Sequence, residues 1–338
     1  MKPYSRSIFV SSFANFKVRI YVIGYRNIGE SIVVFMIDDN KGVDKVVFSM
    51  IIDCYKKGDL NIAMDLLKKH GVSELDFAIW THPHDDHSPG FDEIISSFAS
   101  SKTKVFLPRF EFENFDPGVL TKKCKRANLV SKALLAIEKN KFGKNGLLHP
   151  IYTDPDYPFA PQIIFVDEHS DPPISKLCTF YFLTPVTKLI EPYTFIGNPE
   201  KIHEVNELSI SFVMSLDGYE FYFGGDSENE HVKKIKKEDV ANMRWVKVPH
   251  HCSDGAFYIA DALDKDRFDF AVSTVYGSKL PMKPIQDIYK NKGMLFMTQL
   301  RGASKLIDYG VVQFDYHQFD QSKIKVETTL YGNADQYK

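Results

Sequence analysis

The sequence predicts a mixed α/β (α+β) protein in which several strands end in histidine or aspartate. Three β-branched runs, at residues 18–24, 31–36 and 45–52, are joined by turns that contain Gly, Asn or Asp. Runs of this kind are typical of an antiparallel meander. Further along the chain, apolar extended segments alternate with helical ones, and a histidine-rich turn directly follows one of the apolar strands. Together these features indicate a sheet-based fold with a polar site at its strand ends.

The remaining elements follow from hydrophobic periodicity and from turn residues. The predicted helices cover residues 61–70, 91–98, 228–235 and 284–292. The predicted strands cover residues 75–80, 104–108, 179–185, 208–214, 219–223, 245–249, 268–274 and 294–298, followed by a hairpin over residues 310–330. The pair Asp217-Gly218, between two of these strands, is a typical hairpin signal.

The regular pattern stops between about residues 109 and 174. This stretch contains a basic helix candidate at residues 121–141. We predict one domain over residues 1–338 with a middle insertion at about 109–174. The basic residues at the head of the helix indicate either a solvated face or a phosphate-contacting surface. They are Lys122, Lys123, Lys125 and Arg126.

The composition is that of an ordinary globular protein. The chain has 338 residues, with 44% hydrophobic and 25% charged residues and a net charge of −2. A near-neutral chain does not require a nucleic acid or an anionic membrane as its partner. No run of eighteen apolar residues occurs, so we expect no transmembrane helix, no signal peptide and no membrane partner. The four scattered cysteines suit reduced thiols in the cytoplasm.

The histidine-rich turn has the composition of a metal site. An apolar run ending at Trp80 is followed by Thr-His-Pro-His-Asp-Asp-His. His82 and His84 lie two residues apart on an extended segment and therefore project to the same side. Asp86 and His87 follow where the chain turns and can face a second ion. Imidazole and carboxylate are ligands that suit zinc, with manganese as the alternative.

Two further carboxylates lie at strand ends. Asp226 ends the run Gly-Gly-Asp after an apolar strand, and its two oxygens can bridge two ions. The alternative for Asp226 is the N-cap of a following helix. Asp53 ends another apolar strand and is predicted either to orient a ligand histidine or to be a simple turn aspartate.

A pair of adjacent histidines, His250 and His251, follows a later strand. We predict His250 as the metal ligand, because it directly follows the strand and is held most rigidly there. His251 is predicted to face the substrate as a proton donor. Which of the two binds the ion is left open by the sequence.

The order of these motifs resembles the metallo-β-lactamase superfamily and, within it, the ComEC-type (competence-channel) domains. The resemblance implies an αββα sandwich with a metal site at one sheet edge, where metal-activated water acts on a phosphodiester or another ester. The matching motifs are Gly29-Glu30-Ser31, Ile51-Ile52-Asp53, residues 81–90, Phe182-Leu183-Thr184-Pro185, Asn206-Glu207-Leu208-Ser209, Gly224-Gly225-Asp226 and His250-His251-Cys252-Ser253.

The chain also departs from the superfamily pattern. Many members have a third histidine where this sequence has Asn206, so we expect either one zinc ion or two. His203 is a nearby substitute or a surface histidine. Cys252 replaces the usual glycine after the paired histidines. Lys283 stands near the place of a common His-Pro and is either a substrate contact or a loop lysine.

These residues predict a metal-dependent hydrolase, with a phosphodiesterase or nuclease as the first hypothesis and Asp86 and His251 handling protons. An esterase or lactonase, with the insertion as a substrate lid, is the second. A metal-binding module or effector of a toxin or defence system, switched on by a protein partner, is the third, because fold analogy alone does not settle function. The sequence does not indicate an oligomeric state.

Overall fold

Two β-sheets pack face to face in this computed structural model, with helices on the outer face of each sheet. The structure describes residues 4–40, 42–108, 129–130, 132–134, 148–151, 159–167, 169–186, 205–300, 303–317, 319 and 324–338. The αββα sandwich and the mixed α/β class predicted from the sequence are confirmed.

The eight-stranded sheet has the order β16-β15-β2-β3-β4-β5-β6-β7. The first five strands in this order, β16 to β4, are antiparallel to their neighbours, and β4 to β7 run parallel. The strands are β2 (Phe16–Gly24), β3 (Glu30–Asn40), β4 (Val43–Ile52), β5 (Phe77–Ile79), β6 (Lys104–Pro108), β7 (Leu148–Ile151), β15 (Gly310–His317) and β16 (Lys325–Gly332). Helices α1 (Ile62–Lys69) and α2 (Phe91–Phe98) cover its outer face.

The nine-stranded sheet has the order β1-β8-β9-β10-β11-β12-β13-β14-β17. Its strands are β1 (Ser5–Val10), β8 (Gln162–Asp167), β9 (Ile174–Thr184), β10 (Ser211–Leu216), β11 (Tyr219–Phe223), β12 (Trp245–Lys247), β13 (Phe270–Ser273), β14 (Met294–Met297) and β17 (Asp335–Gln336). The helices that accompany this half of the chain are α3 (Asn229–Val232), α4 (Lys237–Ala241), α5 (Phe257–Ala262) and α6 (Lys283–Lys292).

Side chains that alternate along each strand contribute to two cores, one between the sheets and one between a sheet and its helices. On β2, Val18, Ile20 and Val22 face the other sheet, whereas Tyr21 and Ile23 face the helices. Successive side chains of a strand point to opposite faces, so a strand covered on both sides has few polar positions. This explains why β2 is apolar almost throughout its length.

Most predicted elements are present. The antiparallel meander is formed by β2, β3 and β4, and Asp217-Gly218 joins the antiparallel strands β10 and β11. The predicted helix at residues 91–98 matches α2. Within the predicted insertion, β7 and β8 belong to the two sheets, and most of the basic helix candidate, with all four of its basic head residues, lies outside the described residues. The insertion and the single domain stay predictions.

The parallel strands β4–β6 and β11–β14 matter most for the site, since their carboxyl ends meet at one edge of the sandwich. The carboxyl ends of parallel strands are where ligands bind in such sheets. Among the described residues, no helix has both the length and the apolar character needed to cross a membrane.

Candidate metal centre

The ends of three strands bring the histidines and aspartates together in one place. β5 leads into the turn that carries His82, His84, Asp86 and His87, and Asp226 follows β11. The two adjacent histidines, at positions 250 and 251, follow β12. The strands fix the backbone at each of these points, which holds the side chains that follow in defined positions.

Among the described residues, the side chains form three groups of possible ligand atoms, of which the first two share one carboxylate and the third consists of Glu30, Asp53 and His87. Asp86, His87, Asp226 and His251 make up the first group, and all four are buried. His82 and His84 join Asp226 to make up the second. In each group the ligand atoms lie within 4.8 Å of one another. Asp226 therefore belongs to the first two of these groups, and its bridging of two ions stays a prediction.

The distances within the first group suit a small ion. His87 Nε2 lies 3.4 Å from Asp86 Oδ2 and 3.4 Å from Asp226 Oδ1. His251 Nε2 lies 3.0 Å from Asp86 Oδ2 and 3.7 Å from Asp226 Oδ2. Two atoms bound to zinc at its usual bond length in a tetrahedral shell lie about 3.3 Å apart. The four measured distances are close to this spacing.

Several of these atoms are buried without a hydrogen bond. His82 Nε2, His87 Nε2 and Asp226 Oδ1 have no hydrogen-bond partner, although His82 Nε2 lies 3.7 Å from Asp226 Oδ2. Buried polar atoms in native proteins are nearly always paired, so a cluster of unpaired ones requires an explanation. Cations bound to the two groups would satisfy these atoms, and the residues present therefore fit metal binding.

The electrostatics of the cluster also favour a cation. Burial opposes the charge on Asp86, but His87, His251 and His84 outweigh it and hold the pKa of this carboxyl well below its ordinary value. Burial and His87 hold the pKa of His82 well below its ordinary value, so its ring is neutral and has a free lone pair. Burial opposes a charge on His87, but Asp86, Asp226 and Asp53 outweigh it and raise the pKa of this ring well above its ordinary value. The carboxylates thus stabilise a positive charge at this point, and a metal ion that bound there would replace the ring proton.

A second layer of residues orients the ligands. His87 Nδ1 lies 2.7 Å from Asp53 Oδ2, so the orienting role predicted for Asp53 agrees with its position. Asp53 in turn accepts hydrogen bonds from the Thr81 backbone and hydroxyl at 2.7 and 2.6 Å. The Thr81 hydroxyl also contacts His82 Nδ1 at 2.9 Å. Such partners fix which ring nitrogen of a ligand histidine carries the proton.

His250 and His251 have different surroundings. His250 lies at the rim of the cluster, 2.8 Å from Glu228 Oε1 and 3.2 Å from Asn206 Nδ2, and its side chain is 22% exposed. His251 is fully buried and points into the cluster. The ring of Tyr276 stacks on His251 at 5.1 Å. The structure thus brings His251, and not His250, together with the other predicted ligands.

Other predicted residues lie away from the cluster or outside the described residues. Lys283 begins α6, is 72% exposed at its side chain and pairs with Asp287. Cys252 is buried in the apolar core beside the nine-stranded sheet. His203 lies outside the described residues.

Sequence reasoning missed a buried ion pair behind the cluster. Lys247 Nζ donates to Glu30 Oε1 at 2.9 Å, and both side chains are inaccessible to solvent or nearly so. Lys247 is the one charged residue in the apolar strand β12, and a lysine is almost never fully buried unless it is paired. A lysine in an otherwise apolar strand is therefore the sequence feature from which a buried ion pair could have been predicted.

Comparisons with known proteins give little information on this chain. No protein-family model and no curated protein matches it. One similar solved structure is described as a new diphosphatase from the PhnP family, with 13% identity, a TM-score of 0.37, and 79% of this chain and 89% of that chain covered. Another is the central domain of yeast acetyl-CoA carboxylase, with 10% identity, a TM-score of 0.14, and 92% and 48% covered. At these TM-scores neither similarity identifies an activity.

Proposed function

We propose that this chain is a metal-dependent hydrolase that cleaves phosphodiester bonds. The observation that carries the proposal is the pair of ligand groups that share Asp226. Sites with two ions about 3.5–4 Å apart recur in phosphatases, nucleases and related hydrolases. The ComEC-type motifs of the sequence favour the same substrate class, and membership of that branch is part of the proposal.

In this proposal Asp86, His87 and His251 would hold one ion, His82 and His84 would hold a second, and Asp226 would contribute to both. Nitrogen and carboxylate ligands suit zinc, with manganese as the alternative. When bound, an ion of this kind makes hydroxide available near neutral pH and withdraws charge from a phosphoryl oxygen.

The roles of the adjacent histidines are exchanged relative to the prediction from sequence. His251 is the metal ligand, because its Nε2 lies among the ligand atoms of the first group. His250 faces outward beside Glu228 and is therefore placed to contact the substrate at the mouth of the site. Asp86 and His251, predicted to handle protons, serve here as ligands.

The test combines metal analysis with a substrate panel. Purified wild-type protein is expected to contain up to two zinc or manganese ions per chain and to cleave bis(4-nitrophenyl) phosphate. Asp226→Ala should lose metal and at least about 100-fold in rate, since ligand removal disables the centre. Asp266→Ala, which removes an exposed acid elsewhere, is the matched control.

The outcomes separate the alternatives. Cleavage of 4-nitrophenyl acetate without cleavage of the diester would contradict the substrate class and leave an esterase or lactonase. Bound metal without turnover on either substrate would favour the partner-gated effector. A steep fall of nucleic-acid cleavage with salt concentration would favour a nuclease, because contacts to many phosphates weaken as salt rises. An Asp226→Ala variant that retains metal and rate would overturn the proposal.

A further inference from the structure

A continuous chain of hydrogen bonds runs from the ion pair behind the cluster to one of its histidines. Lys247 donates to Glu30, the Thr274 hydroxyl donates to the other oxygen of Glu30, and His251 Nδ1 lies 2.8 Å from the Thr274 oxygen. Lys247 and Thr274 have no solvent exposure and Glu30 has 1%. Water therefore does not substitute for any of these partners.

The chemistry of these groups decides which atom donates and which accepts in each hydrogen bond of the series. An ionised carboxylate only accepts hydrogen bonds, and a hydroxyl has a single proton to donate. The Thr274 hydroxyl gives that proton to Glu30, so its oxygen must accept from His251. Nδ1 of His251 therefore carries a proton, and in the neutral ring this leaves Nε2 with its lone pair.

The free lone pair points towards the ligand cluster. His251 Nε2 lies 3.0 Å from Asp86 Oδ2. This carboxylate would accept a proton from Nε2 if the ring adopted the other tautomer, in which Nε2 cannot bind an ion. The chain through Thr274 therefore opposes a competing hydrogen bond inside the site itself.

We propose that Thr274, Glu30 and Lys247 form a positioning relay that holds His251 in its metal-binding tautomer. The relay selectively raises the affinity of the ion position that contains His251, and none of its three residues touches the ion. The inference rests on the proposed metal centre for its effect on affinity. Its effect on the tautomer does not depend on a bound ion.

A similar arrangement of hydrogen bonds occurs beside a histidine of the other ligand group. The Thr81 hydroxyl donates to Asp53 and contacts His82 Nδ1, so carboxylate, threonine and histidine occur in the same order. The two relays are carried by different strands. The same arrangement at two histidines supports a role in orienting ligands.

The first measurement is the tautomer of His251 in metal-free protein. Long-range ¹H–¹⁵N spectra of protein labelled at its 11 histidines report which nitrogen is protonated, and His251→Gln assigns the signal. Wild type and Thr274→Ser should show Nδ1–H. Thr274→Val, which keeps the shape but lacks the hydroxyl, should shift the population towards Nε2–H. If Thr274→Val does not fold, Thr274→Ala takes its place.

The second measurement is zinc affinity, by competition with a chromogenic chelator. Removing such an orienting partner typically weakens binding about 10- to 100-fold, so Thr274→Val should lose that much at one of the two ions. Thr274→Ser should bind like the wild type. Equal tautomer populations in the Val and Ser variants would overturn the relay. Wild-type protein that binds no zinc would instead overturn the proposed function, and the spectra would still decide the relay.

Discussion

At the scale of single residues, the backbone of one turn decides what two adjacent histidines can do. His250, His251 and Cys252 have φ angles of +43°, +49° and +64°. Three successive residues other than glycine in the left-handed region are rare, and such conformations concentrate at functional sites. The turn sends the side chain of His251 inward and leaves that of His250 at the rim.

Replacing each histidine separately by alanine should therefore affect metal content in one variant and turnover alone in the other. We expect His251→Ala to bind one ion fewer than the wild type, because a ligand is lost. His250→Ala should keep its full metal content while its turnover falls by roughly 100-fold or more, as for the loss of a group that transfers protons. Elemental analysis beside the cleavage assay measures both, and the reverse pattern would restore the assignment predicted from sequence.

A different histidine, far from the site, should make stability depend on pH. Burial, together with Arg19 and Lys69, lowers the pKa of His70 to about 4, and its Nε2 lies 3.0 Å from the Tyr21 hydroxyl. A histidine in an unfolded chain titrates near pH 6.5. Between these values the unfolded chain binds more protons, so the free energy of unfolding should fall as the pH falls from about 6.5 to about 4.

His70→Gln should flatten this dependence in urea unfolding curves recorded from pH 8 to pH 4. At pH 8, His70 is neutral in both the folded and the unfolded wild-type protein. The difference in the free energy of unfolding between variant and wild type at this pH therefore measures the packing contribution and serves as the control. Parallel pH profiles for the two proteins would show that His70 does not cause the dependence.

Much of the site could be predicted from residue types, and the rest required the fold. Histidines and aspartates in one turn indicate a metal site because few other roles tolerate them at a strand end. Neither the choice between His250 and His251 nor the partner of Lys247 follows from residue type. The first depends on φ angles, and the second joins residues 217 positions apart.

At the scale of elements, a glycine fixes the start of the helix after the metal-binding turn. Gly90 precedes α2 with a φ of +94°, and a Cβ there would lie 2.9 Å from Asn61 Nδ2. Gly71 also has a positive φ, but a Cβ there meets nothing within 4 Å. The two positions share the conformational requirement and differ in the space around them.

Replacing each glycine by alanine should separate the cost of the left-handed conformation from the cost of the steric contact. Both Gly71→Ala and Gly90→Ala incur the left-handed cost of about 1–2 kcal/mol. Gly90→Ala should be the less stable of the two, since its methyl group also has to displace a neighbouring side chain. Urea unfolding of both variants provides the comparison, and equal stability would show that the contact at Gly90 has no energetic effect.

Long and strongly periodic elements were predictable, whereas short or distantly paired ones were not. The meander, α2 and the hairpin at Asp217-Gly218 follow from local signals. β1 was missed because half of its residues are polar and it pairs with β8 more than 150 residues further along the chain. Helices α4 and α5 have five and six residues, too few to show a clear helical period.

At the scale of the whole molecule, one ion pair joins the two sheets. Lys247 ends β12 in the nine-stranded sheet, and Glu30 begins β3 in the eight-stranded sheet. Removing one partner of a buried pair leaves the other charge uncompensated in a medium that solvates it poorly. The pair therefore couples the stability of one sheet to its packing against the other.

Lys247→Met should lower the free energy of unfolding by about 3–5 kcal/mol. Lys283→Met, which removes a surface pair with Asp287, should change it little. Denaturation in the presence of a chelator keeps metal binding out of the comparison. A Lys247→Met protein as stable as the Lys283→Met control would show that the core tolerates the unpaired carboxylate.

The placement of the ligands also has a consequence for how the protein is made. His251 and Asp86 contact each other although they lie 165 residues apart in the chain. During synthesis the ribosome releases the turn with His82, His84 and His87 long before Asp226 and His251 appear. A complete ion site therefore forms only after most of the chain has been translated and both sheets have met. If the proposed centre binds its ions, their insertion would accordingly be a late step in the maturation of this protein.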